Sequence, residues 1–258
     1  MNAASINAEQ GDPRPRYPDI TDALFWDAYF AWRDASLLSV ERFHALYLAL
    51  RHITTTGVPG ALLECGVYRG GSACFCAAVL GQLNQPGQPS QSGQTDHTER
   101  DLFWCDTFRG FPDGVEEASI TGETLQAFPK DDVLPSAMAN FARTGYPARR
   151  LHVLRGPVQD TIPEGPLPEN IALLHLDTDD AASVLHELTH LYPRLSPGGV
   201  LCIDDYGHFP GVGRAVDAYF ADLARAGGTP PLLTRTDYTG RMGVKPAPER
   251  APKPLPRP

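Results

Sequence analysis

Two short stretches of the chain place carboxylates where chemistry can use them. One is Ile171-Ala-Leu-Leu-His-Leu-Asp177-Thr-Asp179-Asp180; the other is Gly199-Val-Leu-Cys-Ile-Asp204-Asp205-Tyr206-Gly207. In each, an apolar run stops abruptly at aspartate. Such runs read as strands buried on both faces of a parallel sheet, so the carboxylates belong where the strand emerges. A helical segment (Ser183 to Tyr192) and the turn Ser196-Pro-Gly-Gly199 separate the two, which makes a strand–helix–strand unit. Right-handed crossover puts both strand ends on one rim, the carboxyl edge where open α/β sheets bind ligands. Asp177, Asp204 and Asp205 should therefore converge. Three converging carboxylates repel unless positive charge lies between them, and a hard divalent cation with oxygen ligands meets that need. Taken singly, each aspartate reads equally well as a cap or a solvated turn residue; the DxD and the DD together favour the cation.

Two other strand ends carry polar groups. Ala61-Leu-Leu-Glu64-Cys-Gly66-Val67 runs into Tyr68-Arg69-Gly70-Gly71-Ser72 and a helix ending near Leu80. The glycines let backbone approach a ligand, and Ser72 with the helix N-terminus offers N–H groups to a carboxylate. The spacing G-x-x-x-G-G differs from the dinucleotide fingerprint G-x-G-x-x-G, which disfavours a nicotinamide cofactor. Asp106 closes the strand Asp101–Asp106, where an acidic residue can accept hydrogen bonds from a ribose diol or cap a helix. His208, in the loop after Asp205, offers an imidazole as a further candidate base. His175 lies inside an apolar strand and reads as a core histidine.

The elements that must hold these residues follow from hydrophobic period. Thr21 or Asp22 caps a helix carrying Phe25, Trp26, Tyr29, Phe30 and Trp32, and a second helix runs from Ser39 to about His52. These aromatic stripes suit ordinary packing, a substrate wall, or the contact of a homodimer or higher homo-oligomer. Arg149–Gly156 forms a third strand, Ser136–Tyr146 and Arg214–Ala226 form helices, and Pro231–Arg235 with Thr239–Lys245 forms a terminal antiparallel hairpin. Strands alternating with helices give an α/β, doubly wound, mostly parallel sheet. One domain spans 19–245, preceded by a loose arm over 1–18 and interrupted by a flexible, polar insertion at 84–100. A Pro-rich disordered tail occupies 246–258.

Bulk properties narrow the partners. A formal charge of −9 and a pI near 5.3 argue against nucleic acid or an anionic membrane surface. No apolar run reaches membrane-spanning length and residues 1–16 lack a signal-peptide core, so the expectation is a soluble, cytoplasmic protein. The five cysteines, Cys65, Cys74, Cys76, Cys105 and Cys202, contain no CxxC pair and read as reduced core residues.

Several motifs occur in order: Glu64-Cys-Gly-Val-Tyr-Arg-Gly-Gly-Ser72, Asp106-Thr-Phe-Arg-Gly-Phe-Pro112, Gly156-x-x-x-Asp-Thr161, Leu176-Asp-x-Asp179, and Leu191-Tyr-Pro-Arg-Leu-Ser-Pro-Gly-Gly199 through Asp204-Asp-Tyr206. Together, over roughly residues 20 to 245, they resemble the macrocin O-methyltransferase (TylF/MycF/NovP-like) family of sugar O-methyltransferases. The resemblance implies a class I, Rossmann-like methyltransferase fold, S-adenosylmethionine (AdoMet) as cofactor, Mg²⁺ with Mn²⁺ or Ca²⁺ as substitutes, and a small-molecule acceptor from antibiotic biosynthesis. It places the methionine part of AdoMet on Glu64, Gly66, Tyr68, Arg69, Gly70 and Ser72, the ribose on Asp106, and the adenine along the segment after Gly156. Asp177, Asp204 and Asp205 match its metal ligands, with Asp177 also beside the cofactor, and Asp179 matches its general base. His208 remains the alternative base.

The chain departs from the family after Asp179. Where the family reads Leu-Tyr-Glu-Ser, this chain has Asp180-Ala181-Ala182-Ser183. Three functions therefore compete: metal-dependent methylation of a hydroxyl on a glycosylated metabolite, the same cofactor chemistry on an amine or phenol, and a non-catalytic AdoMet-binding relative. Clustered repelling carboxylates count against the last, because a scaffold has no use for them.

Overall fold

The apolar runs that end in aspartate become the centre of a seven-stranded sheet of order β3-β2-β1-β4-β5-β7-β6. This computed structural model describes residues 11–83, 99–162 and 164–247. The strands are β1 (Ala61–Cys65), β2 (Leu102–Asp106), β3 (Leu151–Arg155), β4 (Ile171–Leu176), β5 (Leu195–Ile203), β6 (Thr234–Arg235) and β7 (Arg241–Val244). The first five are parallel; β7 runs antiparallel to β5, and β6 pairs antiparallel with β7. Every residue of β1 and β4 is buried, as expected for strands covered on both faces.

The helices are α1 (Ala23–Trp32), α2 (Val40–Thr55), α3 (Gly71–Leu83), α4 (Leu134–Arg143), α5 (Val158–Thr161), α6 (Ala181–Leu191) and α7 (Pro210–Arg225). One face of the sheet, with Leu62, Trp104, Leu173 and Val200, packs on α1 to α4. The other, with Leu63, Phe103, Leu174 and Leu201, packs on α5 to α7. The aromatic stripes of α1 and α2 are interior packing: Phe25 meets Phe75 of α3 edge-on at 6.0 Å between centroids, and Phe43 does so at 5.0 Å. Asp22 caps α1 and Ser39 caps α2, each accepting a backbone N–H from the first turn. All five cysteines are buried and free.

Differences from the sequence reading are local. Ser196-Pro-Gly-Gly199 is not a turn before β5 but part of it. The strand begins at Leu195, and the register against β4 jumps from Ile171↔Leu195 to Leu173↔Val200. Glycine and proline are tolerated where such a bulge interrupts the ladder. Within the arm, residues 14–16 form a 3₁₀ turn, Pro13 is buried, and the Tyr17 hydroxyl donates to Glu41 at 3.0 Å. At the end of the insertion, Arg100 donates to the carbonyls of Gly60 at 2.6 Å and Val58 at 2.7 Å. Residues 84–98 of the insertion and 248–258 of the tail lie outside the described residues. Among those described, no helix is long and apolar enough to cross a membrane.

Candidate active site

At the first rim the backbone itself is shaped by one glycine and one carboxylate. Gly66, just past β1, has φ +84°, and a Cβ there would lie 1.8 Å from the carbonyl oxygen of Asp177. Only glycine lets the exits of β1 and β4 press together. Asp106, the last residue of β2, accepts the N–H groups of Val67 (2.6 Å) and Tyr68 (2.8 Å) on Oδ2 and that of Phe108 (2.6 Å) on Oδ1. It clamps the loops after β1 and β2 to each other. Tyr68 and Phe108, inside the clamp, hold φ values of +52° and +55°, a left-handed conformation uncommon outside glycine. Gly71 plays a different part: a Cβ there would meet Cβ of Ser36 at 2.5 Å, so its absence lets the chain between α1 and α2 cross over α3.

These loops open into a cavity of about 280 Å³ at the carboxyl ends of the strands. Gly66, Tyr68, Arg69, Ser72, Asp106, Gly156, Asp177, Asp179, Asp204, Asp205 and His208 all line it. Glu64 and Gly70 do not. Glu64 sits beneath the floor, where Oε1 accepts from the Ser72 hydroxyl and lies 2.9 Å from His175 Nδ1. It supports Ser72 instead of facing a ligand.

The second rim is acidic. Asp177, Asp179 and Asp205 each present a carboxylate oxygen, all within 4.8 Å of one another. Burial, then the neighbouring carboxylates, push Asp177 and Asp179 well above the usual carboxylate range; burial likewise raises Asp205. Asp205 Oδ2 is buried with no hydrogen-bond partner among the described residues. Asp179 has φ +62°, and across it the Asp180 N–H donates to the Thr178 carbonyl at 2.8 Å, a strained three-residue turn.

Asp204 converges on the same cavity but is held differently. Successive strand residues alternate faces, so Glu64, His175 and Asp204 point toward α1 and α2, away from the face of Asp205. Glu64 is in register with His175, and His175 with Cys202, two residues before Asp204. His175 thus bridges two acids, with Nε2 3.2 Å from Asp204 Oδ1. The other oxygen of Asp204 accepts from Arg42 of α2, whose guanidinium also reaches Asp237 at 3.1 Å and the Leu37 carbonyl at 3.1 Å. Burial would raise Asp204, but Arg42 and His175 overcome it and hold the carboxyl down at about 2. Burial also opposes charge on His175, yet its hydrogen bonds to Asp204 and Glu64 raise it well above an ordinary imidazole. The positive charge that the converging carboxylates require is therefore supplied in part by the protein.

His208 is buried in the cavity wall, with Nδ1 3.2 Å from the Tyr238 hydroxyl and Nε2 3.7 Å from Glu123. The Ile120 N–H donates to its carbonyl at 2.9 Å, and Glu117 accepts the Gly211 N–H at the start of α7 at 3.1 Å. These contacts fix part of the 113–131 segment, which supplies Glu123, Phe128, Pro129 and Asp131 to the cavity wall. Ala181 and Ala182, which the sequence reading singled out, do not line the cavity; Asp180 and Ser183 on either side do. Asp180 caps α6 through the Ser183 N–H at 2.9 Å, and Ser183 accepts from Gln159 at 3.0 Å.

Sequence reasoning missed Arg42, the Glu64–His175 pair and the wall residues Glu123 and Tyr238. Only the pair left a trace: two ionisable residues inside otherwise apolar strands. Arg42 looks like any charged residue of an amphipathic helix.

The fold and cavity define a Rossmann-like methyltransferase architecture of class I. The structure of the O-methyltransferase NovP superposes with a TM-score of 0.68 over 83% of both chains at 24% identity. The calicheamicin methyltransferase CalS11 gives 0.56 at 20% identity, over 89% of this chain and 93% of that one. The macrocin-O-methyltransferase (TylF) model matches residues 32–240. Mycinamicin III 3''-O-methyltransferase of Micromonospora griseorubida is 31% identical over 190 residues, 71% of this chain and 69% of that protein. A tetracenomycin-glycoside 4'-O-methyltransferase of Streptomyces olivaceus is 31% identical over 213 residues, 81% of this chain and 69% of that protein. The chain belongs to the macrocin O-methyltransferase family.

Proposed function

We propose that the protein is an AdoMet-dependent O-methyltransferase that uses a divalent cation, Mg²⁺ first, to methylate a hydroxyl of a small glycosylated metabolite. The observation that carries this reading is the shared cavity: the glycine-shaped rim and the acidic rim open into one space. Two relatives are named for O-methylating mycinamicin III and a rhamnosyl-tetracenomycin, which supports the acceptor class. All candidate ligands at the acidic rim are carboxylate oxygens, they outnumber the cationic groups Arg42 and His175, and Asp205 Oδ2 lacks a hydrogen-bond partner among the described residues. That donor set fits a hard cation.

Asp177 and Asp205 would hold the ion with Asp204 beside them, while Arg42 and His175 fix Asp204. When bound, the cation would orient an acceptor hydroxyl and stabilise the charge that develops on it. AdoMet is an activated donor, so the protein's remaining tasks are alignment and proton removal. Gly66, Tyr68, Arg69, Ser72 and Gly156 would seat the cofactor, and Asp106 would serve it mainly by clamping the loops that line its site. Asp179 would take the proton: its raised pKa brings a carboxylate closer to the basicity the step needs. His208 suits that task less, because both its nitrogens already face protein groups. The Ala181-Ala182 departure lies outside the cavity and gives no reason to prefer an amine or phenol.

The test is methyl transfer from labelled AdoMet to a panel of hydroxylated glycosides. EDTA should abolish transfer and Mg²⁺ restore it. Asp179→Asn should lower turnover about 10²- to 10⁴-fold with AdoMet affinity changed less than about 3-fold. Full activity in EDTA would remove the cation from the reading, and product spectra with methyl on nitrogen would replace the acceptor class.

A further inference from the structure

Glu187 is a fully buried carboxyl that the chemistry above leaves unused. It lies on α6, two turns beyond the Asp180 cap. Its Oε1 accepts the Thr178 hydroxyl at 3.0 Å, while Oε2 is buried with no hydrogen-bond partner among the described residues. No ion pair joins it to Lys, Arg or His there. Burial pushes its carboxyl well above the usual carboxylate range, against the opposing pull of the Thr178 hydrogen bond. Buried, half-satisfied acids are rare enough to need a reason.

The reason lies in what Thr178 does. It sits between Asp177 and Asp179. Asp177 is pinned by its N–H to the Cys65 carbonyl at 2.8 Å, and Asp180 by its cap on Ser183. The two residues between must cross this gap in the left-handed turn at Asp179, which no glycine relieves. The hydrogen bond to Glu187 anchors the side chain of Thr178 in the middle of that stretch. The first turn of α6 contains no acidic residue, and the carboxyl that reaches Thr178 comes from Glu187, nine residues further along the chain.

We propose that Glu187 is a positioning residue: its buried carboxyl group holds the Thr178 hydroxyl, and through it the left-handed turn that directs Asp179 into the cavity. It rests on the proposed function for Asp179's role in proton removal and for the cation at the acidic rim; the hydrogen bond and the turn stand apart from both. Glu187→Gln preserves shape and an acceptor, Glu187→Leu removes the acceptor, and Thr178→Val removes the donor without touching α6.

Two readouts separate the claims: hydrogen exchange of the Asp180 amide, which closes the turn, and Mn²⁺ affinity of the AdoMet-loaded protein by calorimetry. Glu187→Gln should stay within about 2-fold of the parent in both. Glu187→Leu and Thr178→Val should each speed exchange about 10-fold and weaken Mn²⁺ by a similar factor, and the double variant should be no worse than either single one. Unchanged exchange in both single variants, additive losses in the double, or a Gln variant as impaired as the Leu variant would overturn the proposal. If Glu187→Leu fails to fold, Thr178→Val and Glu187→Gln carry the test. If the parent binds no Mn²⁺, the metal reading fails while the exchange arm still judges Glu187.

Discussion

The two rims of the cavity use carboxylates in opposite ways. At the exits of β1 and β2, Asp106 accepts three backbone N–H groups and is spent on holding loops in unusual conformations. At the exits of β4 and β5, Asp177, Asp179 and Asp205 crowd together, raised by burial and by one another, with one oxygen unpartnered among the described residues. Hydrogen-bonded carboxylates build shape; under-compensated ones store electrostatic demand that a bound cation or a transferred proton can satisfy. The first rim is held by its own hydrogen bonds, and the second keeps the demand that the proposed cation would meet.

The strongest way to break this contrast is to damage the first rim. Gly66→Ala forces a positive φ on alanine and drives its Cβ into the Asp177 carbonyl, so it should deform both rims at once. We expect a stability loss above about 4 kcal/mol, seen as a melting point lowered by roughly 10 °C or as insoluble protein. A variant that melts like the parent would show that the rims are not wedged together.

Asp106→Ala should act on one rim only. It frees three backbone donors, two of them in the loop proposed to seat the cofactor, and should weaken AdoMet about 10-fold at a stability cost near 2 kcal/mol. Isothermal titration should find divalent-cation binding nearly unchanged. Equal loss of cation affinity would mean that the two rims act as one unit.

The smallest effect concerns pH. Asp177, Asp179 and Asp205 have raised folded-state pKa values, so the cation-free folded protein binds more protons than the unfolded chain above pH ~4, and its stability falls as pH rises. His175, also raised, contributes in the same sense: its stabilisation is present below the unfolded imidazole value of about 6.5 and is lost as pH climbs through the folded one. Asp204 acts oppositely, but only below pH ~4, where its depressed folded value makes stability fall with acid. In EDTA the protein should therefore melt at least about 3 °C higher near pH 5.5 than near pH 8, and saturating Mg²⁺ should flatten the slope. A melting point that climbs with pH in EDTA would show the acidic cluster to be paired already.

Much of this was legible beforehand because strands and their ends are written in short, local patterns. Apolar runs that stop at Asp106, Asp177 and Asp204-Asp205 fixed the sheet's carboxyl edge, and the ordered motifs fixed the family, since each depends only on neighbours in the chain. The tertiary structure decided which partner each carboxylate has. Strand alternation turned Asp204 toward Arg42 of α2, 162 residues away, while Asp205 stayed with Asp177 and Asp179. It made His175 a bridge between acids where a core residue was expected, and made Asp106 a clamp. It also lifted Ala181 and Ala182 out of the cavity and put Glu187 under the Asp177–Asp179 turn. Local pattern determines where a side chain leaves the backbone. What charge it meets depends on elements far away in sequence, and in a buried site that meeting sets its chemistry.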